Sequence, residues 1–374
     1  MKRDYTTIAR RIYLKHPLIS DIWTQINFWI IAYLLFFVIL YFITVAVTGL
    51  YQVDAIISLS SNLVVAVISA IFFGSALGTT DYFLEKKLRG KSLGIEIIIK
   101  GIAYLIIWNI VSSISYTIGT TISADFIQST TIKYTDDFSF NMLSAASVYT
   151  AIMIFVISFI KQMNTKFGPG VLLPMLLGKF RRPHIEHRVF LFMDLKDSTS
   201  YAEKLGSIKY SEMIQDCFMD VNRVIPPYNA EIYQYVGDEV VLSWISDEAV
   251  QNMNCIKFFF AFQNQLEGKR KYYEAKYDCL PQFKAGANIG EITVAEVGDI
   301  KREIAYHGDT INTASRIQSM CNQFGESFLI SEALKNEINW QNNFTTELLG
   351  SITLRGKQKE VELYAVTESN PLLI

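Results

Sequence analysis

Cysteine, histidine and charge are scarce in this chain, and each scarcity closes off a class of protein. Cys217, Cys255, Cys279 and Cys321 are the four cysteines; all lie in the C-terminal half and no two form a CxxC pair. That spacing excludes a disulfide framework and a cysteine-based zinc site, and reads as reduced cytosolic thiols that behave as small hydrophobes. Among four histidines only His184 and His187 lie close together, in an HIEH stretch without a third ligand nearby, which reads as linker rather than as a metal site. Charged residues make up 19% of the chain and the formal net charge is -2. No concentrated basic face is left for phosphate backbones, so a nucleic-acid binder is excluded.

What the chain does hold is apolar length. It is 51% hydrophobic over 374 residues, too oily for an ordinary soluble protein and long enough for two domains. Apolar runs at Ile26 to Leu50, Ile56 to Leu77, Gly101 to Ile118 and Met142 to Ile160 each approach the roughly 20 residues needed to cross a bilayer core. The first run is too long and starts too far in to be a cleaved signal peptide. Basic residues gather before the first run (Lys2, Arg3, Arg10, Arg11, Lys15), between the second and third (Lys86, Lys87, Arg89, Lys91) and after the fourth (Lys161, Lys166, Lys179, Arg181, Arg182). The other two loops hold Lys133 as their one basic residue. Positive-inside bias therefore places both termini in the cytosol of a multi-pass plasma-membrane protein.

An N-terminal all-α transmembrane bundle of four helices is thus expected over residues 1–161, with lipid as its surroundings. Glu96 and Lys100, four apart, read as a helix ion pair at the cytosolic interface. Nothing in the spans suggests a pore or transport path, which leaves a sensing or anchoring role.

Residues 162–187 form a connector rich in Pro and Gly. Pro169, Pro174 and Pro183 exclude one continuous helix or coiled coil leading out of the membrane. Val171, Leu172, Leu173, Met175, Leu176 and Leu177 are apolar enough to require a packing partner.

Over residues 188–374 short β-rich runs alternate with helical stretches. RVFLFMD precedes a helix from about Ser200; EIYQYV and EVVLSWI flank Gly237 and Asp238; a long helix spans about Ala249 to Tyr277. QFKAGANIG and EITVAEV follow, then a helix near Thr310 capped by Asp309 and two late strands. This order fits an α+β ferredoxin-like sandwich with helices on one face of an antiparallel sheet. Asp194 ends the first strand, and Asp238 sits in the turn between the next two. Carboxylates at neighbouring strand tips suit hard divalent ions such as Mg²⁺ or Mn²⁺; helix capping and turn formation are the plainer roles for the same residues. In HGDTINTASRIQ, Asn312 and Arg316 fall four apart on one helical face, an amide and a guanidinium suited to a sugar and a phosphoryl group.

FMDLKDST, YQYVGDEVVLSW, HGDTINTASRIQ and LRGKQKEVELYAV, in this order and spacing, resemble the catalytic domain of the class III adenylate and guanylate cyclases over about residues 188 to 368. The resemblance implies that Asp194 and Asp238 bind two divalent metal ions with the Leu195 carbonyl assisting, and that Lys196, Asp197, Ser198 and Thr199 cradle the terminal phosphates. It implies that Asn312 orients the ribose, Arg316 stabilises charge at the α-phosphate, and Lys357 touches the triphosphate. It further implies a homodimer whose two sites each draw on both protomers, and conversion of ATP to 3′,5′-cyclic AMP and pyrophosphate for signal transduction. Purine-reading positions hold Gln234 and Ala305, matching neither the Lys and Asp usual in adenylate cyclases nor the Glu and Cys of guanylate cyclases; GTP is the alternative substrate. Asp197 and Ser198 stand where Gly and Phe are more usual. A degenerate cyclase-fold nucleotide sensor and a diguanylate cyclase are the rival readings. The first is opposed by retention of both aspartates, Asn312 and Arg316, and the second by Val236 and Val240 beside the GDE turn.

Overall fold

The structure, a computed structural model, describes residues 12, 16–51, 59–88, 91–127, 136–168, 170–352 and 360–369. The chain divides into two compact units at 172/173.

The first unit contains helices α1 (Pro17–Tyr51), α2 (Leu59–Leu88), α3 (Leu93–Ile127) and α4 (Asp136–Phe167). Segments Pro17–Val47, Ala66–Glu85, Gly94–Ser113 and Leu143–Phe167 are long and apolar enough to cross a membrane. Trp29, Phe73, Leu77, Tyr104, Trp108, Ile154 and Ile157 form the core of the bundle, while Ile31, Phe42, Phe72, Ile98 and Phe155 face outward. Apolar side chains inside and outside together are what a lipid solvent calls for. Gly74 and Gly78 let α1 and α2 touch backbone to backbone; a Cβ at Gly74 would stand 2.7 Å from Ile26 Cα.

The second qualifying segment reaches Glu85 rather than ending at Leu77, and its last turns carry Asp81 and Glu85. Asp81 is buried beside Lys161, which also stands 3.4 Å from Asp21. Lys100 pairs with Glu96 at 2.7 Å, with Glu85 at 3.3 Å and with Asp81 at 4.0 Å. Gln25 Nε2 donates to Asp81 Oδ2 at 2.6 Å, and the Tyr104 hydroxyl donates to its other oxygen. Glu96 and Lys100 are therefore not an isolated interfacial pair: they belong to a network that joins all four helices. Its members are spread over four segments, so no local spacing in the sequence reveals it.

The second unit opens on α5 (Leu172–Leu176) and β1 (His184–Leu195). HIEH is extended, not a helical turn: His184 meets Glu186 and His187 meets Ser246. The connector's Leu176 and Leu177 remain exposed. Next come α6 (Ser198–Tyr228), β2 (Glu231–Val236), β3 (Glu239–Ile245), α7 (Ser246–Val250), α8 (Asn254–Gly268) and α9 (Arg270–Tyr277). The last three replace the single long helix expected, because Asn252 and Met253 adopt left-handed backbone and turn the chain. Then follow β4 (Phe283–Val297), β5 (Glu303–His307), α10 (Asp309–Phe324), β6 (Phe328–Ser331), α11 (Glu332–Glu337), β7 (Phe344–Ile352) and β8 (Val361–Glu368).

The eight strands form one sheet in the order β2-β3-β1-β4-β6-β8-β7, with β5 pairing on β4. β4 and β6 run parallel and the other pairs antiparallel. Side chains alternate across this sheet. Trp244 and Phe283 point to the face covered by α6 and α8, where they meet Tyr228, Phe258 and Phe262. Phe190, Phe192, Val241, Ile292 and Val294 point to the other face and pack on Ala314 of α10. Helices thus cover both faces rather than one. α10 carries its apolar stripe at Ala314, Ile317 and Cys321, and Phe180, Ile304 and Tyr306 pack beside it on the second face. Its N-cap is Gly308, and Asp309 is the first helical residue instead of the cap.

Candidate active site

Asp194 lies in the last turn of strand β1, and the register sets it directly opposite Glu239 on β3. Asp238 precedes Glu239 in the two-residue turn after β2. The two aspartates therefore stand at neighbouring strand tips, Asp194 on β1 and Asp238 in the tight β2–β3 hairpin beside it. On the other side of β1 the register sets Lys284 of β4 opposite Asp194. Lys284 Nζ is 3.3 Å from Asp194 Oδ2, and Gln318 Nε2 of α10 donates to the same oxygen at 3.2 Å.

The electrostatics report a concentration of negative charge. Burial, then the neighbouring Asp238 charge, raise the Asp194 carboxyl against the opposing pull of Lys284 and Gln318. Burial, with Asp194 and Asp238 reinforcing it, pushes Glu239 up to about 7. Burial and the hydrogen-bonded Asp238 push the Tyr210 phenol up to about 12. Asp238 Oδ2 is enclosed and has no hydrogen-bond partner. A buried carboxylate oxygen without a donor is rare in folded proteins, and it is what a hard cation would satisfy. Among the described residues no group of three or more His, Cys, Asp or Glu is arranged to hold a metal ion. Two carboxylates leave several coordination positions for phosphate oxygens and water, as suits a Mg²⁺-like ion brought together with a nucleotide.

Leu195 completes β1 with its side chain buried. Lys196 N donates to Gln282 O at 2.8 Å, which holds the start of the following loop against the segment before β4. Asp197 is exposed and sits in left-handed backbone with φ 55, a conformation that favours glycine. Ser198 and Thr199 begin α6, and the first-turn amides of a helix lack intrahelical acceptors. The loop therefore presents backbone donors beside the carboxylates.

Gln234 reaches the Asp194 face through a β-bulge. The register shifts between Ile232 and Gln234, so Tyr233 packs in the core beneath α10 while Gln234 pairs with Val241 and is exposed. Ala305 pairs with Ala295 on β5, one residue from Ile304 and Tyr306, which enter that core. Strand alternation turns its methyl to the opposite side of the hairpin. Asn312 is exposed and Arg316 half-buried on α10. At about 100° per residue, Arg316 and Asn312 are rotated by roughly 200° and 240° from Gln318, which touches Asp194. The predicted residues thus form two groups, one around Asp194 and Asp238 and one on the far edge of α10. Lys357 lies outside the described residues.

Lys284, Gln318 and Glu239 are the site residues that the sequence motifs did not disclose. Glu239 was visible as a neighbour of Asp238. Lys284 and Gln318 reach Asp194 only through strand register and helix packing, for which the sequence carries no local signal.

Carboxylates at adjacent tips of a mixed sheet, followed by a helix N-terminus, belong to a ferredoxin-like α+β domain. Residues 182–368, half of the chain, match the family described as Adenylate and Guanylate cyclase catalytic domain, and the chain belongs to that family. Adenylate cyclase 2 of Rhizobium meliloti (strain 1021) is 32% identical over 229 residues, covering 61% of this chain and 62% of that protein. An adenylate cyclase of Anabaena cylindrica is 25% identical over 183 residues, 47% of this chain and 36% of that one. The chain spans less than two thirds of either relative. A bacterial light-regulated adenylyl cyclase shares the fold with a TM-score of 0.52 at 18% identity, over 62% of this chain and 67% of that structure.

Proposed function

We propose that this protein is a membrane-anchored purine nucleotide cyclase that converts ATP to 3′,5′-cyclic AMP and pyrophosphate at sites shared between two copies of the chain. The observation that carries the reading is the pair Asp194 and Asp238 at adjacent strand tips, one with an enclosed, unpartnered oxygen. Bound at these carboxylates, divalent ions would supply charge neutralisation for the attacking and leaving oxygens.

Asp194, Asp238 and the Leu195 carbonyl hold the cation side of the site. The loop from Lys196 to Thr199 gathers the β- and γ-phosphates on backbone amides. Asn312 orients the ribose so that its 3′-hydroxyl is in line with the α-phosphorus. As that oxygen bonds to phosphorus, the α–β phosphoanhydride breaks, the hydroxyl proton is released and pyrophosphate departs. Arg316 stabilises the charge that develops on the α-phosphate, and Lys357 contacts the triphosphate.

The helical phase of α10 supports shared sites. Gln318 meets Asp194 of its own chain, and Asn312 and Arg316 lie on the opposite edge, where a facing copy would take them up. ATP is favoured by the adenylate cyclases among the relatives; the Gln234 amide is able to donate and accept toward either purine. The basic residues that flank the apolar helices support a plasma-membrane location with the catalytic unit in the cytosol.

The test is turnover by the full chain in detergent with Mn²⁺ and ATP or GTP, with mass identification of the product. Cyclic AMP and pyrophosphate are expected; no release from either nucleotide sinks the enzymatic reading. Asp238→Ala and Arg316→Ala chains, each inactive alone, are expected to regain activity when mixed, because one site of the heterodimer is then complete. An inactive mixture overturns the shared sites.

A further inference from the structure

We infer that α10 couples the two catalytic sites of the dimer, with Gln318 and Asn322 as the positioning residues through which the helix senses Asp194. The inference rests on the shared-site reading above and adds to it a direction of communication.

Asp194 is tied to α10 twice. Gln318 Nε2 donates to Asp194 Oδ2 at 3.2 Å. Lys284 Nζ stands 3.3 Å from the same oxygen and donates to Asn322 Oδ1 at 3.2 Å. Gln318 and Asn322 are four apart and so lie one above the other on one side of the helix. A buried amide such as Gln318, at 6% exposure, needs its partner, since an unmet donor in the interior is costly.

The helix is also seated without slack. A Cβ at Gly286 would lie 2.5 Å from Gln318 Cα, so β4 and α10 meet backbone to backbone under the Gln318 side chain. α10 is sixteen residues long with Thr313, Ala314, Ile317 and Cys321 buried. Packed helices move as units, between discrete positions. A cation that draws Asp194 away from Lys284 and Gln318 therefore acts on α10 as a whole. The opposite edge of the same helix carries Asn312 and Arg316, which serve the partner's nucleotide. One helix thus reports the filling of one site to the chemistry of the other, and by linkage the reverse.

The test uses the mixed full-length chains in detergent. In the Asp238→Ala plus Arg316→Ala heterodimer the working site takes its carboxylates from the Arg316→Ala chain and its Asn312 and Arg316 from the Asp238→Ala chain. Gln318→Leu is added to the Asp238→Ala chain, whose own Asp194 belongs to the dead site. We expect kcat of the working site to fall about two- to ten-fold, the range of one lost hydrogen bond, with the Mn²⁺ dependence unchanged. Added instead to the Arg316→Ala chain, Gln318→Leu is expected to lower the Mn²⁺ concentration for half-maximal activity, because the cation no longer competes with the Gln318 amide for Asp194. Asn322→Ala, at an exposed position, is expected to act in the same direction by a smaller factor and guards against misfolding of the first variant. The free-Mn²⁺ signal in electron paramagnetic resonance gives a reading without turnover: the Gln318→Leu homodimer is expected to bind Mn²⁺ more tightly than wild type. An active parent mixture whose kcat ignores both substitutions on the Asp238→Ala chain overturns the coupling alone. An inactive parent mixture overturns the shared sites and the coupling with them.

Discussion

Lys284 Nζ stands 3.3 Å from Asp194 Oδ2 because the antiparallel register of β1 and β4 places the two residues opposite each other. With Asp238 and Glu239 on the neighbouring hairpin, Lys284 is the cation that offsets clustered carboxylates when no metal ion is bound. Lys284→Met is expected to lower the thermal midpoint of the full chain in chelator and to enlarge the gain on adding Mn²⁺, since carboxylate repulsion is then relieved by the ion alone. Equal Mn²⁺ gains in variant and wild type would count against Lys284 as the stand-in charge.

Gly286→Ala tests how tightly α10 is seated. The added methyl has to displace Gln318 backbone, so we expect a loss of about 1–3 kcal/mol in stability. Turnover should fall as well, through the shifted Gln318. Urea unfolding and the cyclase assay check the two effects, and an undisturbed midpoint refutes the close contact.

Arg188 is buried on the same sheet face, where it donates to Glu186, Glu231 and Ser243 and lies over the Tyr306 ring at 5.2 Å. Arg188→Met removes the guanidinium that Glu186 and Glu231 share. A destabilisation of about 2–4 kcal/mol is expected, less than for fully enclosed pairs because Glu186 and Glu231 keep some water. Denaturant midpoints for the variant and for Glu231→Gln separate the loss of charge from the loss of packing.

In the unit of four apolar helices Asp81 gathers Lys161, Gln25 and Tyr104. Asp81→Leu leaves the half-buried Lys161 ammonium with Asp21 alone at 3.4 Å and is expected to lower the heat resistance of the full chain in detergent; Asp81→Leu with Lys161→Leu should recover part of the loss. A double variant as weak as the single one would show that the pair has no such partnership.

Asp216 supplies the pH dependence. Burial raises its carboxyl, but bonds from Lys276, Tyr277 and Tyr272 outweigh that and hold it below the ordinary range. A depressed folded value adds stability above the unfolded value, and this is lost as pH falls through the folded one. The thermal midpoint of wild type should therefore exceed that of Asp216→Asn at neutral pH, and the gap should close below about pH 4. A gap that persists in acid would contradict the assignment.

Much of this protein could be read along the chain. Apolar runs of bilayer length announce four membrane-type helices because lipid demands continuous apolar surface, and alternating strand patterns with a carboxylate at each end announce the catalytic unit. Asp194 and Asp238 each lie in a short motif at a strand end, and Asn312 and Arg316 are one turn of helix apart. Tertiary structure decided the remainder. The placement of Lys284 beside Asp194 depends on β1–β4 register, and the same face would be lost by a slip of one residue. Gln234 comes opposite Val241 only because of the bulge at Tyr233, and α10 seats on β4 because Gly286 admits its backbone. Asp81 meets Lys100 and Lys161 from three different helices. In each case the partners are distant in sequence, and only the packing of whole elements brings them within reach.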